Sequence, residues 1–464
     1  MYEIRDPIHG TINFSDRERR IIDHPYVQRL RHIRQLGLSY LVYPGSTHDR
    51  FTHVTGAMQV VSRIWSRIVE TSGDVLKAHF EDFDIEYFHR ILRVAALLHD
   101  LGHPPFSHVS EKFMPKLGVL ELPAGWMVGV DPERQSTHED FSVMLIAALS
   151  REMDSPIPPD EAQDIASLIH HDVVPSPSWE KRFGGVGSGR VGIHRLLRSF
   201  ISGELDCDRM DYLLRDAYFT GVAYGTYDRD HLISNLGVTE REGALVPTID
   251  STAVRAFEDF LLARYHMFLQ VYLHKTTVAF DRFLDKAMTE GEVTMTIPGD
   301  ALGFQRLRDS TIIERLFEAA ENPANKWSWR LMNRVPPKMI FSAANSNEED
   351  SLLLAKLEAA LEKGSVPYFR VDSRQYLSKS APVGMSVSDN ECELLVRRKM
   401  FGRIVYEPIG RYSDLLNKYN EVIDQSNIYV LREDYVDAQG VLKQMGWPII
   451  GTIGGKQAKL LDSF

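Results

Sequence analysis

The sequence predicts a mostly α protein with small β-hairpins, followed by a smaller α+β region. Three observations carry this. Long segments repeat apolar residues at i, i+3 and i+4, the spacing of a buried helix face. Beyond about residue 325 the texture changes to short strand-like runs around one helix. Between them, an apolar helix ends in His99-Asp100-Leu101-Gly102-His103-Pro104-Pro105-Phe106-Ser107-His108, a run dense in metal-ligand side chains.

Residues 1–15 alternate apolar and polar around Asp6-Pro7-Ile8-His9-Gly10 and predict a short hairpin or strand. Residues 16–37 have a helical pattern interrupted at Pro25. From 51 to about 70, Ala57, Val60, Val61, Ile64, Trp65 and Ile68 share one helix face. Residues 83–101 do the same with Ile85, Phe88, Leu92, Ala95 and Leu98. Ser136 or Thr137 caps a helix through residue 149. Pro158-Pro159-Asp160 opens another that ends near His171. Residues 172–193, rich in Pro, Ser and Gly, read as a flexible loop, and 194–219 as one long helix. Residues 238–249 read as a hairpin turning at Glu242-Gly243, and 253–287 as one or two helices. The tail has a helix at 349–363 and strand-like runs at 368–371, 393–397, 404–407 and 428–431. These readings divide the chain into residues 1–325 and 326–464.

Composition narrows the class. An apolar fraction of 44% and a charged fraction of 25% over 464 residues are those of a globular protein. Two cysteines, Cys207 and Cys392, argue against a disulfide framework and a Cys-based zinc site, and point to a reducing cytoplasm. No apolar run reaches the roughly 18 residues of a membrane span. The opening MYEIRDPIHG lacks the apolar core of a signal peptide. A net charge of -11 disfavours non-specific coating of nucleic acid, yet leaves room for a local basic pocket.

His and Asp are the usual N and O ligands of divalent metals. Neighbouring helical residues point about 100° apart, so His99 and Asp100 reach one ion together only near a helix end or facing a gap between helices. Gly102 and Pro104-Pro105 supply that end. Spare histidines beside such a site suggest metal-assisted hydrolysis. Arg50-Phe51-Thr52-His53 offers a cation and a further ligand, and Thr137-His138-Glu139-Asp140 opens a helix whose N-terminus favours anions. Asp208, Tyr212, Arg215 and Asp216 fall on one helix face, which is costly to bury unless it binds something. The alternative is a solvated face laced with ion pairs. Arg264 and Tyr272-Leu273-His274-Lys275 add cations. Taken singly, His53 reads as a core or surface histidine and Arg264 as an ion-pair arginine. His170-His171-Asp172 has the look of a second metal pair but reads better as a helix terminus, and residues 451–456 lack phosphate-loop spacing.

The ordered set His53, His99-Asp100 and Asp208 resembles the signature of the HD superfamily of metal-dependent phosphohydrolases. DPIHG, Gln28-Arg29-Leu30-Arg31, Arg34-Gln35-Leu36-Gly37, RFTH, HDLGHPPFSH, THE and D-x-D-R-x-D-Y-x-x-R-D resemble its deoxynucleoside triphosphate (dNTP) triphosphohydrolase branch. That branch holds the metazoan sterile-alpha-motif/HD dNTPase and bacterial relatives. The resemblance is specific from residue 1 to about 290 and leaves no room for a sterile-alpha-motif domain before DPIHG. It implies an HD-domain helical bundle in which His53, His99, Asp100 and Asp208 bind one divalent metal (Mn, Fe, Zn or Mg). It implies phosphate contacts from Arg50, His103, His108, Arg209 and Arg264. Sugar contacts would come from Gln35, Leu36, Tyr212 and Asp216, with Tyr212 selecting deoxyribose. His108 and His138, with Glu139 behind the latter, would stand around the α-phosphate, where a histidine protonates the leaving 5′ oxygen. Glu111 receives no role, because an aspartate stands there in the metazoan relative. Asp23, Gln28 and Arg31 match positions that read guanine at an activating site, which implies GTP or dGTP as activator and an oligomer, a tetramer by preference. The plainer reading is that these three only build the helix that places Gln35. Single-stranded nucleic acid is a further partner the branch implies. The competing functions are another HD-type nucleotide phosphodiesterase or nucleotidase, and a non-catalytic nucleotide or nucleic-acid-binding protein.

Overall fold

A computed structural model of the chain describes residues 2–185, 190–344, 348–375, 393–413, 415 and 423–447. Cys392 and residues 451–456 lie outside these. The described residues within Met1–Val271, Thr294–Arg315 and Ser378–Asn420 form one compact unit, and those within Tyr272–Val293, Leu316–Leu377 and Glu421–Phe464 a second.

The first unit is mostly helical, as its sequence predicts. It opens with the antiparallel hairpin β1 (Tyr2–Asp6) and β2 (Gly10–Phe14). Helix α1 (Asp16–Ile22) starts at a capping box between Ser15 and Glu18, and α2 (Pro25–Gln28) starts at Pro25. The segment read as helical to residue 37 breaks up further than expected. Ile33 turns extended and Gly37 takes φ +48°, so only single 3-10 turns form at Arg29–His32 and Gly37–Leu41. Two long helices follow, α3 (Arg50–Lys77), kinked at Ser72, and α4 (Asp82–Leu98). They pack through the apolar faces read from the sequence, with Val61, Ile64, Trp65, Phe88, Ile91 and Leu92 buried. The one-turn α5 (His108–Glu111) and then α6 (His138–Ser150), capped by Thr137, come next, followed by α7 (Pro159–Ile169).

Two expectations need correction here. Residues 172–193 are not all loop. Ser176 caps and Pro177 opens α8 (Pro177–Phe183), which buries Trp179 and Phe183 against Phe80, Tyr87 and Phe88. Residues 194–219 are not one helix but two, α9 (Ile193–Ser202) and α10 (Cys207–Thr220). Gly203 turns extended, and the Asp206 side chain accepts from Arg209 N at 2.8 Å to start the second helix. That restart aims Asp208 at the end of α4.

Short α11 (Arg229–Ser234) leads into β3 (Leu236–Arg241) and β4 (Ala244–Asp250), whose turn sits at Glu242-Gly243, both at positive φ. From the tail, β7 (Leu395–Met400) pairs in parallel with β4, and β8 (Arg403–Pro408) completes the order β3-β4-β7-β8. Helix α12 (Val254–Met267) closes on a single π turn, and α14 (Ala301–Gln305) also belongs to this unit.

The second unit holds α13 (Lys275–Thr289), α16 (Lys326–Met332) and an antiparallel sheet ordered β5-β9-β6. Its strands are β5 (Lys338–Ala344), β6 (Phe369–Gln375) and β9 (Ile423–Val430). Helices α17 (Glu348–Lys363) and α18 (Tyr435–Gln444) cover the sheet through Leu354, Leu357, Leu361, Val441 and Leu442. Helix α15 (Asp309–Ala320) carries the chain from the first unit to the second. Among the described residues no helix is long and apolar enough to cross a membrane.

Two imidazoles make the fold acid-sensitive. His89 on α4 lies 2.9 Å from Ser62 Oγ, and His194 on α9 lies 2.8 Å from Ser167 Oγ. Burial, helped by Arg93 and Arg198, pushes their pKa values down to about 4 and about 3. Unfolded, both return to about 6.5. The unfolded chain then binds protons that the folded chain refuses, so stability is intact above about pH 6.5 and falls as pH drops through 4. Urea midpoints measured between pH 7 and 4 are expected to fall across that window, with a shallower slope in His194→Gln. An unchanged slope in that variant takes His194 out of the acid response.

Candidate active site

Three helix ends meet in the first unit. His53 lies in the first turn of α3, His99 caps the C-terminus of α4 with Asp100 just beyond it, and Asp208 lies in the first turn of α10. Asp208 Oδ1 sits 3.0 Å from His53 Nε2 and 3.6 Å from His99 Nε2. Asp100 Oδ1 is 3.3 Å from His99 Nε2, and Asp100 Oδ2 is 3.8 Å from His53 Nε2. The tautomers are set from behind. His53 Nδ1 donates to Asp211 Oδ2 at 2.8 Å, and His99 Nδ1 donates to the Ala96 carbonyl at 2.8 Å. Each ring thus keeps its Nε2 lone pair for the common centre. Both Nε2 atoms are buried without a hydrogen-bond partner. Close approach without hydrogen bonding is what a divalent metal requires: His53, His99 and Asp100 bring ligand atoms within 4.8 Å of one another and fit one, and Asp208 stands against both imidazoles beside them.

The charges agree with this. Burial alone would raise the Asp100 and Asp208 carboxyls. Arg50, His99 and His103 outweigh it at Asp100, and His53 and His99 at Asp208, so both are held well below the usual carboxylate range. Burial would likewise depress His53, but Asp208 and Asp211 lift it to about 10. A field that draws a proton this strongly draws a cation.

Behind the quartet lies a buried layer that the sequence reading did not single out. Asp211 accepts from His53 Nδ1 and from Arg215 Nε, both at 2.8 Å, on Oδ2. On Oδ1 it accepts from Arg215 Nη2 at 2.8 Å and His9 Nε2 at 2.6 Å. Arg215 Nη1 donates to Asp6 Oδ2 at 2.8 Å, while Asp6 Oδ1 accepts from the backbone of Ile8 and His9. Arg215 is fully buried in this network, so on the face it shares with Asp208, Tyr212 and Asp216 it binds carboxylates of the protein itself. The signal was present in DPIHG and in the i, i+4 spacing of Asp211 and Arg215. Gly56 on α3 makes the layer feasible, since a Cβ there would stand 2.0 Å from Asp211 Oδ1.

A second group of side chains stands beside the quartet. Arg50 is buried, pairs with Asp100 and donates to Ser107 Oγ from Nε (2.9 Å) and Nη2 (2.8 Å). Phe106 and Ser107 hold φ of 59° and 54°, a strained turn that Asp309 fastens. Its carboxylate accepts from Phe106 N and Arg34 N, each at 2.9 Å. His103 Nε2 lies 3.2 Å from Asp100 Oδ1, and its ring stacks on His138 at 3.9 Å. Glu111 Oε1 accepts from His138 Nδ1 at 2.6 Å and from the exposed His108 Nδ1 at 2.9 Å. Glu111, left without a role by sequence, is therefore the carboxylate behind His138. Glu139 instead faces His170 and His171. The reason is local: α5 is a single turn that swings Glu111 under both rings. Gly102 lets α6 close on this turn, since a Cβ there would stand 1.9 Å from the His138 carbonyl.

The remaining predicted residues are more dispersed. Tyr212 lies beside the quartet, its ring centroid 6.5 Å from that of His53, with its hydroxyl pushed up to about 12 by burial. Asp216 accepts from His48 Nε2 at 2.8 Å. Gln35 is half-buried with Oε1 lacking a hydrogen-bond partner, and Leu36 is also half-buried. Arg209 lies near Asp206 (3.6 Å) and Glu204 (3.9 Å), and the buried Arg264 lies over Phe268. Asp23 is 3.5 Å from Arg19, while Arg31 donates to Gln28 Oε1 at 2.8 Å and lies over the Phe51 ring.

The HD domain family matches residues 50–216, and the HD associated region matches residues 227–363. The chain is 32% identical to uncharacterized protein YwfO of Bacillus subtilis, over 80% of this chain and 78% of that one. It is 28% identical to human deoxynucleoside triphosphate triphosphohydrolase SAMHD1, over 77% of this chain but 57% of the enzyme, so it spans little more than half of that relative. A crystal structure titled phosphohydrolase from Bacteroides thetaiotaomicron superposes with TM-score 0.65 and 25% identity, over 93% of this chain and 100% of that one. The chain belongs to the HD superfamily, whose domains bind divalent metals and support hydrolysis. Within it, the chain is dNTPase-like.

Asp211→Asn breaks a buried charge network, which costs on the order of 3–5 kcal/mol. Gly56→Ala forces the same carboxylate aside. Both variants are expected to melt earlier than the wild type and to bind less metal than the wild type by elemental analysis. Wild-type melting and full metal content in Gly56→Ala would show that the layer does not set the ligand geometry.

Proposed function

We propose that this chain is a metal-dependent dNTP triphosphohydrolase, cleaving at the α-phosphate to deoxynucleoside and inorganic triphosphate. One observation carries the reading: the His53, His99, Asp100, Asp208 quartet stands directly beside a braced imidazole group, His103, His108 and His138, with the buried Arg50 guanidinium between them. Likeness to SAMHD1 supports it.

The quartet would hold manganese, iron, zinc or magnesium, which when bound polarises a phosphate oxygen and the attacking water. Arg50, Arg209 and Arg264 offset the roughly four negative charges of the triphosphate, with His103 as a neutral contact. Gln35, Leu36, Tyr212 and Asp216 receive the sugar, with Tyr212 selecting deoxyribose as the family resemblance implies. Water attacks the α-phosphorus, the bond to the 5′ oxygen breaks, and that oxygen takes a proton from an imidazole. His138 suits the task. Burial would lower its pKa, but Glu111 outweighs that and raises it, which favours the protonated ring that can give a proton from Nε2. His108 is exposed at the mouth and shares the same carboxylate.

Within this reading the chemistry belongs to residues 1–325, in a cytoplasmic protein, while 326–464 is not a separate body, since its β7 and β8 pair within the first unit's sheet. GTP or dGTP at Asp23, Gln28 and Arg31 would activate a homo-oligomer, by preference a tetramer, and single-stranded nucleic acid is a further ligand. A second reading, another HD-type nucleotide phosphodiesterase or nucleotidase, is favoured by Arg209, whose charge Asp206 and Glu204 already offset.

With dGTP and manganese, the protein is expected to release deoxyguanosine and triphosphate in equal amounts. Orthophosphate or pyrophosphate as the product rejects the proposal. His138→Ala is expected to lower kcat by about 10²–10⁴-fold with the quartet's metal and KM little changed. Unimpaired turnover removes His138 from the mechanism. Asp208→Ala is expected to lose the metal equivalent held by the quartet, and activity with it.

A further inference from the structure

The group around Glu111 has a property that acid catalysis does not use. Four potential ligand atoms, from His103, His108, Glu111 and His138, lie within 4.8 Å of one another. All three imidazoles turn the same nitrogen toward one oxygen. Glu111 Oε1 is 2.6 Å from His138 Nδ1, 2.9 Å from His108 Nδ1 and 4.0 Å from His103 Nδ1. In a tetrahedral zinc site with bonds near 2.0–2.1 Å, ligand atoms stand about 3.3 Å apart. The three separations straddle that value.

His103 supplies the independent observation. The residue is 2% exposed, and its Nδ1 is buried without a hydrogen-bond partner. Its Nε2 donates to Asp100 Oδ1 at 3.2 Å, which leaves Nδ1 deprotonated with its lone pair aimed into the group. An orphaned buried acceptor calls for an explanation. Its natural partner is a Lewis acid, because Glu111 has only acceptor oxygens to offer.

We propose that His103, His108 and His138, each through Nδ1, and Glu111 through one carboxylate oxygen form a second site for a divalent transition metal such as zinc. It is separate from the His53, His99, Asp100, Asp208 quartet and linked to it by the His103–Asp100 hydrogen bond. Binding replaces the two Nδ1–H bonds to Glu111 with bonds to the cation, and those protons leave for solvent or, where a ring is neutral, move to its Nε2. The ligand set is the nitrogen-rich one that zinc, cobalt and nickel accept and magnesium does not. If the hydrolase reading holds, the cation withdraws His138 and its carboxylate from proton transfer, so this second equivalent inhibits.

The test measures metal content, without substrate, and so does not depend on the hydrolase reading. Purified full chain is equilibrated with micromolar zinc, then with cobalt, and bound metal is counted by elemental analysis. The wild type is expected to hold two equivalents. His108→Ala, which removes an exposed side chain, should hold one, and Glu111→Gln should also hold one. Asp208→Ala should retain the equivalent those variants lose, with the visible absorption of four-coordinate cobalt. One equivalent in the wild type that His108→Ala leaves intact overturns the proposal. So do two equivalents that persist in His108→Ala, or no cobalt absorption in Asp208→Ala.

Discussion

The site depends on one carboxylate with no access to water. Asp211 receives four hydrogen bonds from His53, His9 and Arg215, and through Arg215 it reaches Asp6. An ionised group in that position is tolerable only because every lone-pair direction is answered and a guanidinium lies against it. Those answers come from the N-terminal hairpin, α3 and α10. The ligand geometry is therefore not set by the four ligands themselves. It follows from how three separated stretches neutralise one buried charge, with Gly56 giving the backbone clearance.

The charges are arranged in two centres that share Asp100. On one side, Asp100 and Asp208 face two imidazoles whose Nδ1 protons are committed elsewhere. On the other, Glu111 gathers the Nδ1 atoms of His108 and His138, with His103 stacked between the two centres. Arg50 pairs with Asp100 and with Ser107, so it stands at the seam. Low dielectric strengthens each of these interactions.

Much of this was legible in the sequence, and the gaps have physical causes. Thr137 three residues before Asp140 marks the start of α6, and Glu242-Gly243 marks its hairpin, because caps and tight turns are local decisions. The break between α9 and α10 was hidden, since a glycine and an N-cap aspartate amid helix-favouring residues look like one continuous helix. Composition misled at α8, where Pro177 opens a helix but its proline and serine neighbours signal a loop. The partner of His138 was misread for another reason. Glu139 is adjacent in sequence, yet adjacent helical residues diverge, and the carboxylate that reaches the ring comes from a different turn 27 residues away. Asp211 was quoted within a motif, but nothing local says that its charge is answered by residue 9.

The clamp made by Asp309 bears on where this protein can be divided. The HD family match ends at residue 216, and all four quartet residues lie at or before residue 208. Yet both Asp309 oxygens tie down Arg34 and Phe106, Arg29 donates to the Leu307 carbonyl at 2.9 Å, and its guanidinium lies over the Phe304 ring. An excised fragment ending at residue 216 would carry every ligand and still leave the loops at Arg34 and Phe106 untethered. The smallest portable piece of this enzyme fold is thus defined by what braces its loops, and it extends roughly a hundred residues past its signature.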